Sequence, residues 1–253
     1  MRDATGTTTE PVTDAVSNKV PLPHRLVGGF GEVLITLGVL LLLFVSWQLW
    51  WTDVTANRDQ ASTVQALESS FGGGHRGGLA DKGPLATLNK VPFGEAFAIM
   101  RVPRFGADFA RPVLEGTDHD TLIKGVGHYQ GTAMPGSVGN FAVAGHRTTY
   151  GRPFHNIDLL REGDFIVIET KASYVMYAVA RHVIVTPDRV EVVAPVPQHF
   201  GVQPTEAWMT LTACHPKYSA SQRYVVFARL VKVIPRANGL PASFMARPSG
   251  PVA

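Results

Sequence analysis

The chain has 253 residues, 45% of them hydrophobic, which suffices for one sizeable packed domain or two small ones. Its formal charge of +3 is mild and contains no run of five like charges, which points to a solvated surface and away from nucleic-acid binding. The single cysteine excludes an internal disulfide: the thiol is inert and buried, half of an intermolecular bridge, or a reactive group.

Residues 1–26 are rich in Thr, Asp, Val and Pro, show no hydrophobic period, and read as a disordered tail. The 19 residues Val33 to Trp51 carry no charge. At ~1.5 Å per residue they nearly cross a ~30 Å hydrocarbon layer, so a transmembrane anchor is expected over 27–51. Trp47, Trp50 and Trp51 at its end suit the headgroup level. Val54-Thr55-Ala56 resembles a signal-peptide cleavage site, but such a peptide would have an apolar core of only ~7 to 15 residues. Lys19 and Arg25 precede the span, whereas Asp53, Arg58 and Asp59 follow it with no positive excess. This asymmetry puts the N-terminus in the cytoplasm and everything after Trp51 outside, a single-pass cell-membrane protein.

Val54, Ala61, Val64, Leu67 and Phe71 recur at helical spacings, which predicts that a helix continues outward. Five glycines within residues 72–78 then make a flexible linker, so 52–90 reads as a juxtamembrane segment that lets the folded part move. The folded domain is expected over 91–236. Phe97–Val102 reads as a strand, and Pro112–Glu115 and Leu122–Lys124 as short extended pieces. The glycine-rich run Gly125–Gly136 lacks the Lys-Ser/Thr ending of a phosphate-binding loop and leads into a strand, which excludes a nucleotide site there. Asn140–His146 is an apolar strand, with Gly145 allowing a sharp turn that projects His146 from its end. A short helix follows at Phe154–Leu160, and then a hairpin of Phe165–Glu169 and Tyr174–Thr186. Val190–Val193 is a short apolar piece, and the proline-bearing loop after it, to Thr205, is long enough to wall a pocket. Residues 237–253 are expected to be disordered. Many short strands with little helix imply an all-β fold, a closed or nearly closed barrel of about eight strands.

The chemistry gathers near the end of the chain. From Trp208 to Cys214 the residues alternate, with Met209, Leu211 and Ala213 on one face and Thr210, Thr212 and Cys214 on the other, polar, face. Pro216 stops this strand and Tyr224–Ile234 forms the next, so an antiparallel pair puts Cys214 and Arg223 at one rim. A thiol of ordinary pKa ~8.5 needs a cationic neighbour to react near neutral pH. Histidine can also hand a proton to a leaving amine, which arginine cannot; arginine suits an oxyanion. Hence Cys214 is the candidate nucleophile, His146 the acid/base and Arg223 the oxyanion or substrate clamp. Taken singly, His146 is equally well a strand-end residue and Arg223 a rim charge. His215 ranks second as base because strand neighbours point to opposite faces. One cysteine and no paired histidines make a poor metal-ligand set, so no metal is expected.

Thr210-Leu-Thr-Ala-Cys214, Gly145-His146 and Arg223 together resemble the sortases, membrane-anchored cysteine transpeptidases of Gram-positive bacteria. Gly127-His128-Tyr129, Gly139-Asn140-Phe141, Ala144–Arg147 and Cys214-His215-Pro216 resemble the class E group of actinobacteria, a housekeeping-type sortase, over roughly residues 93–234. The resemblance implies an eight-stranded sortase barrel with short helices and cleavage of a Leu-Ala-x-Thr-Gly- or Leu-Pro-x-Thr-Gly-like signal after threonine. A thioacyl enzyme then passes its protein to an amine on a lipid II-type cell-wall precursor or a pilin subunit. Secreted proteins bearing that signal would be the partners, and no cofactor would be needed. Tyr129, Thr212 and Val193 are expected to line the signal pocket. Ala213 departs from the family's threonine, but alternation turns its side chain away from the thiol. The rival readings are a purely hydrolytic cysteine peptidase and a non-catalytic, membrane-tethered binding barrel.

Overall fold

The computed structural model describes residues 22–72 and 91–246. The chain divides into two compact units, Met1–Gln48 and Leu49–Ala253. Helix α1 (Leu22–Gly72) supplies the described part of the first unit. There Leu37, Leu40, Leu42, Leu43 and Phe44 are all exposed, an arrangement that water does not favour. The helix is long and apolar enough to cross a membrane. The expected tail up to residue 21 and the glycine tract at 73–78 lie outside the described residues.

The second unit is built on a closed barrel of eight strands. These are β1 (Ala96–Arg101), β2 (Ala110–Glu115), β3 (Val126–His128), β4 (Gly139–Ala144), β5 (Phe165–Glu169), β6 (Ser173–Val185), β7 (Ala207–His215) and β8 (Gln222–Pro235). Around the barrel they run β1-β2-β3-β4-β7-β8-β6-β5. The pairs β2/β3 and β4/β7 are parallel, and all other neighbours are antiparallel. Alternation decides what fills the interior: Met209, Leu211 and Ala213 of β7 join Phe141, Val143, Ile166, Ile168, Tyr177 and Val226 in one core. Each large apolar side chain buried there contributes roughly 1.5–3 kcal/mol before conformational entropy is counted.

Four local readings change. Leu122–Lys124 is not extended but closes a helix, α2 (His119–Lys124), whose start is capped by the Asp118 carboxylate accepting from the Asp120 and Thr121 amides at 3.0 and 3.2 Å. Phe154–Leu160 contains only a single 3₁₀ turn, Ile157–Leu159. Val190–Val193 is another 3₁₀ turn. Beyond β8, the stretch read as disordered from its composition carries two more, Arg236–Asn238 and Ala242–Phe244. Its Leu240, Phe244 and Met245 pack against Val167, Met176 and Ile234, apolar contact outweighing proline content.

Helix α1 does continue past the apolar span to Gly72, as its spacing predicts, and residues 49–72 pack on the barrel. Ala56, Gln60, Val64 and Phe71 are the buried positions, with Val64, Leu67 and Phe71 set against Ile99 of β1. Ala61, expected on that face, is exposed. Polar Gln60 takes the inward register instead because its amide donates to the carbonyls of Ile123 and Tyr150 at 3.1 and 3.0 Å. Glu68 pairs with Arg101, which also holds Glu169 at 2.8 Å; Arg236 reaches the same carboxylate at 2.9 Å.

Candidate functional site

Strands β7 and β8 pair in a register that sets Cys214 directly opposite Arg223. Directly opposed residues share a face, so thiol and guanidinium leave the barrel on the same side. On the other flank of β7, β4 runs parallel with Ala144 opposite Thr212, and the chain leaving β4 delivers His146 to the same rim. Gly145 does not turn sharply: it extends the ladder, its amide donating to the Thr212 carbonyl at 3.1 Å. Glycine is needed there for closeness, since a Cβ would sit 2.7 Å from the Phe154 ring.

Cys214, His146 and Arg223 line one cavity of about 230 Å³, together with Tyr129, Thr212, Thr117 and Leu122. A narrower cavity of about 70 Å³ shares Tyr129, Thr212 and Arg223 with it and is walled by Val185, Val190, Val192 and Val193. The six residues singled out from the sequence therefore fall on two adjoining hollows, Val193 on the second, and Val193 also borders a cavity of about 310 Å³. Larger cavities exist, of about 380 Å³ around Arg111 and Arg152 and about 310 Å³ around Val138 and Pro195, but neither is lined by a thiol. Chemistry rather than volume marks the site.

The face of β7 that carries the thiol is polar in sequence but not open to water along its length. Thr210 is buried, donating to Asn140 Oδ1 at 2.8 Å, and Asn140 in turn donates to the Ala194 carbonyl at 2.9 Å. Those bonds pin the 190–194 segment over β4 and β7, while Val192 packs on Val225 and Phe227 of β8. Thr212 donates to the Val143 carbonyl at 3.3 Å and lies 3.0 Å from the Tyr129 hydroxyl. Past Thr212 the cover ends, and Cys214 is partly accessible.

His146 is half-buried, with its ring 5.1 Å from that of Tyr150, which stands edge-on to His119 at 5.7 Å. Its Nε2 is buried and has no hydrogen-bond partner among the described residues. Burial, and secondarily the neighbouring His119, push its pKa below the ordinary histidine value of 6.5, so the imidazole is neutral near pH 7. Arg223 donates through Nη1 to the carbonyls of Ala220 and Gln222 at 2.9 and 3.0 Å, which steadies the guanidinium at the rim. His215 lies on the opposite face from the thiol: its Nδ1 accepts from Arg147 Nη1 at 2.7 Å and its ring packs 5.7 Å from Tyr224 of the core. With that lone pair engaged, His215 is poorly placed to serve Cys214.

Sequence reasoning named Arg147 only as part of a family motif, without a role, and missed Tyr150. Arg147 is buried and ties the loop after β4 to the end of β7 through His215 and the Cys214 carbonyl at 3.4 Å, and to the Ile157–Leu159 turn through Asp158 at 2.9 Å. Tyr150 sits in a loop without any periodic signal. No group of three or more His, Cys, Asp or Glu side chains that could hold a metal ion occurs among the described residues.

Residues 100–231 match the sortase domain model. The chain is 37% identical over 219 residues to sortase SrtE1 of Streptomyces coelicolor, covering 83% of this chain and 59% of that protein's length. It is 33% identical over 218 residues to sortase SrtE2 of the same organism, covering 82% and 83%. Among solved structures, sortase E from Streptomyces avermitilis superposes with a TM-score of 0.56 at 41% identity, covering 61% of this chain and 99% of that one. Sortase E1 of S. coelicolor, solved with a tripeptide in its active site, superposes with a TM-score of 0.54 at 37% identity, covering 58% and 95%.

Proposed function

Because the chain belongs to the sortase family, with class E relatives, we propose that it is a cysteine transpeptidase working on the outer face of the cell membrane. The observation that carries this reading is the in-register pairing of Cys214 with Arg223 at a cavity that His146 also lines.

Each step has a group suited to it. His146, neutral near pH 7 and with an unpartnered Nε2, takes the Cys214 proton as the sulfur attacks the carbonyl carbon of a threonine in a C-terminal sorting signal. The Arg223 guanidinium hydrogen-bonds the oxyanion of the tetrahedral adduct. Collapse breaks the C–N bond, His146 returns its proton to the departing amine, and a thioester remains on Cys214. An acceptor amine, from a lipid II-type wall precursor or a pilin, attacks that carbonyl while His146 removes its proton, and the thiolate leaves. Tyr129 and Thr212 flank the thiol, and Val193 in the adjoining hollow suits the apolar residue at the start of a Leu-Ala-x-Thr-Gly- or Leu-Pro-x-Thr-Gly-like signal. The apolar length of α1 anchors the enzyme, with the N-terminal residues on the cytoplasmic side.

The test is ligation. The full chain in detergent, given a peptide ending in such a signal and a free amine, yields the amide-linked product, and Cys214→Ala abolishes it with the fold intact. Normal ligation by that variant overturns the proposal. Release of free acid at an unchanged rate with and without amine would instead indicate a hydrolase.

A further inference from the structure

The loop that follows His146 holds an unusual backbone. Tyr150, Gly151 and Arg152 have φ of 53°, 75° and 48°, three successive residues in the left-handed region, two of them not glycine. Such conformations are unfavourable for non-glycine residues and persist only where the surroundings over-determine them. Here the surroundings are one face of α1. Gln60, 1% exposed, donates to the Tyr150 carbonyl at 3.0 Å. Asp53 accepts from the Gly151 amide at 3.2 Å and pairs with Arg152 at 3.0 Å. Asn57 accepts from Arg111 at 3.0 Å, and Arg111 donates to the Gly151 carbonyl at 3.3 Å. A Cβ on Gly151 would lie 3.0 Å from the Gln60 amide, so helix and loop are as close as glycine permits.

That loop carries the Tyr150 ring that covers His146. We infer that residues 53–60 of α1 are a positioning element of the active site, with Gln60 holding the strained Tyr150–Arg152 loop so that Tyr150 fixes and shields the His146 ring. The juxtamembrane stretch is then part of the catalytic apparatus as well as a tether. The inference rests on the role proposed above for His146. The titratable or charged groups around that ring are Cys214 of β7, Arg223 of β8, Tyr129 after β3, His119 of α2, and Tyr150 itself. The low pKa of His146 comes first from burial, which the Tyr150 ring helps to supply, and then from His119.

The experiment compares full-length wild type, Gln60→Leu and Gly151→Ala in detergent, with Ser62→Ala on the exposed face as control. It reads kcat, KM, the acid limb of kcat/KM, and the NMR titration of His146 assigned with a His146→Gln sample. The expected result for Gln60→Leu is a kcat about 10- to 100-fold lower, with KM little changed, as for a catalytic group displaced by about 1 Å. The acid limb and the His146 titration both move up toward the ordinary histidine value, and Gly151→Ala shifts them the same way. A Gln60→Leu protein that melts earlier but keeps the wild-type kcat, acid limb and titration overturns the inference, because α1 would then only stabilise the barrel. The titration needs no turnover, so this failure stays distinct from failure of the sortase reading, which appears as wild type without Cys214-dependent ligation.

Discussion

His128 and His146 lie at the ends of two neighbouring strands, β3 and β4, and they differ in how completely each is satisfied. His128 is 1% exposed, with Nδ1 2.6 Å from Glu115 and Nε2 2.9 and 3.2 Å from Thr132 Oγ1 and the Ala133 carbonyl, and Phe97 and Phe141 close on its ring. His146 is only half-buried, packs on one aromatic ring, and leaves Nε2 without a partner. A ring whose nitrogens are both occupied can hold a loop but cannot exchange protons with a substrate; a ring that keeps a nitrogen unpartnered and lines the same cavity as a thiol can. Both histidines fall in motifs the sequence brings forward, and their surroundings mark His128 as satisfied and His146 as the one suited to the proposed proton transfer.

Replacing each histidine in turn breaks the comparison at its two ends. The largest expected effect is on His146→Gln, which removes the proposed proton carrier: ligation should fall by about 10²–10⁴-fold with little change in melting temperature. A ligation assay beside a thermal melt reads both. His128→Leu should do the reverse. It discards three polar contacts and leaves the Glu115 carboxylate, 12% exposed, without its partner, at a cost of about 2–4 kcal/mol seen in denaturant unfolding. Residual activity per folded molecule should stay within a few-fold of wild type. A His128→Leu protein of undiminished stability but lost activity would invert the assignment.

The smallest effect sharpens the contrast. His146 has a folded-state pKa below its unfolded value of 6.5, so between those two values the unfolded chain binds more protons. Its neutral-state contribution to stability is therefore fully present above pH 6.5 and is lost as pH falls through the lower folded pKa. The slope of unfolding free energy against pH below 6.5 should flatten in His146→Gln. An unchanged slope would mean that burial does not hold this imidazole neutral.

Much of the barrel was legible because strand alternation has a fixed period. The split of Met209, Leu211 and Ala213 from Thr210, Thr212 and Cys214 predicted which side chains enter the core, and the stop at Pro216 predicted the β7–β8 pair. Ala213, the departure from the family pattern, does turn inward into that core. Shorter signals were not legible. Six residues of α2 are too few to show a helical period, although Asp118 placed before them was a usable cap signal. Gln60 broke the apolar pattern of α1 because its partners are carbonyls 63 and 90 residues away, which no local window contains.

The sequence by itself determined the apolar span, the barrel's inside and outside, and which thiol, imidazole and guanidinium are the candidates for acyl transfer. These follow from composition, period and acid strength, all properties of residues and their near neighbours in the chain. Tertiary structure alone decided which histidine keeps a nitrogen free, that Thr210 and Thr212 on the thiol-bearing face of β7 are covered, and that residues 53–60 of α1 contact the loop after His146. Those depend on side chains and carbonyls brought together from distant segments, and on left-handed backbone that only the packing around it sustains.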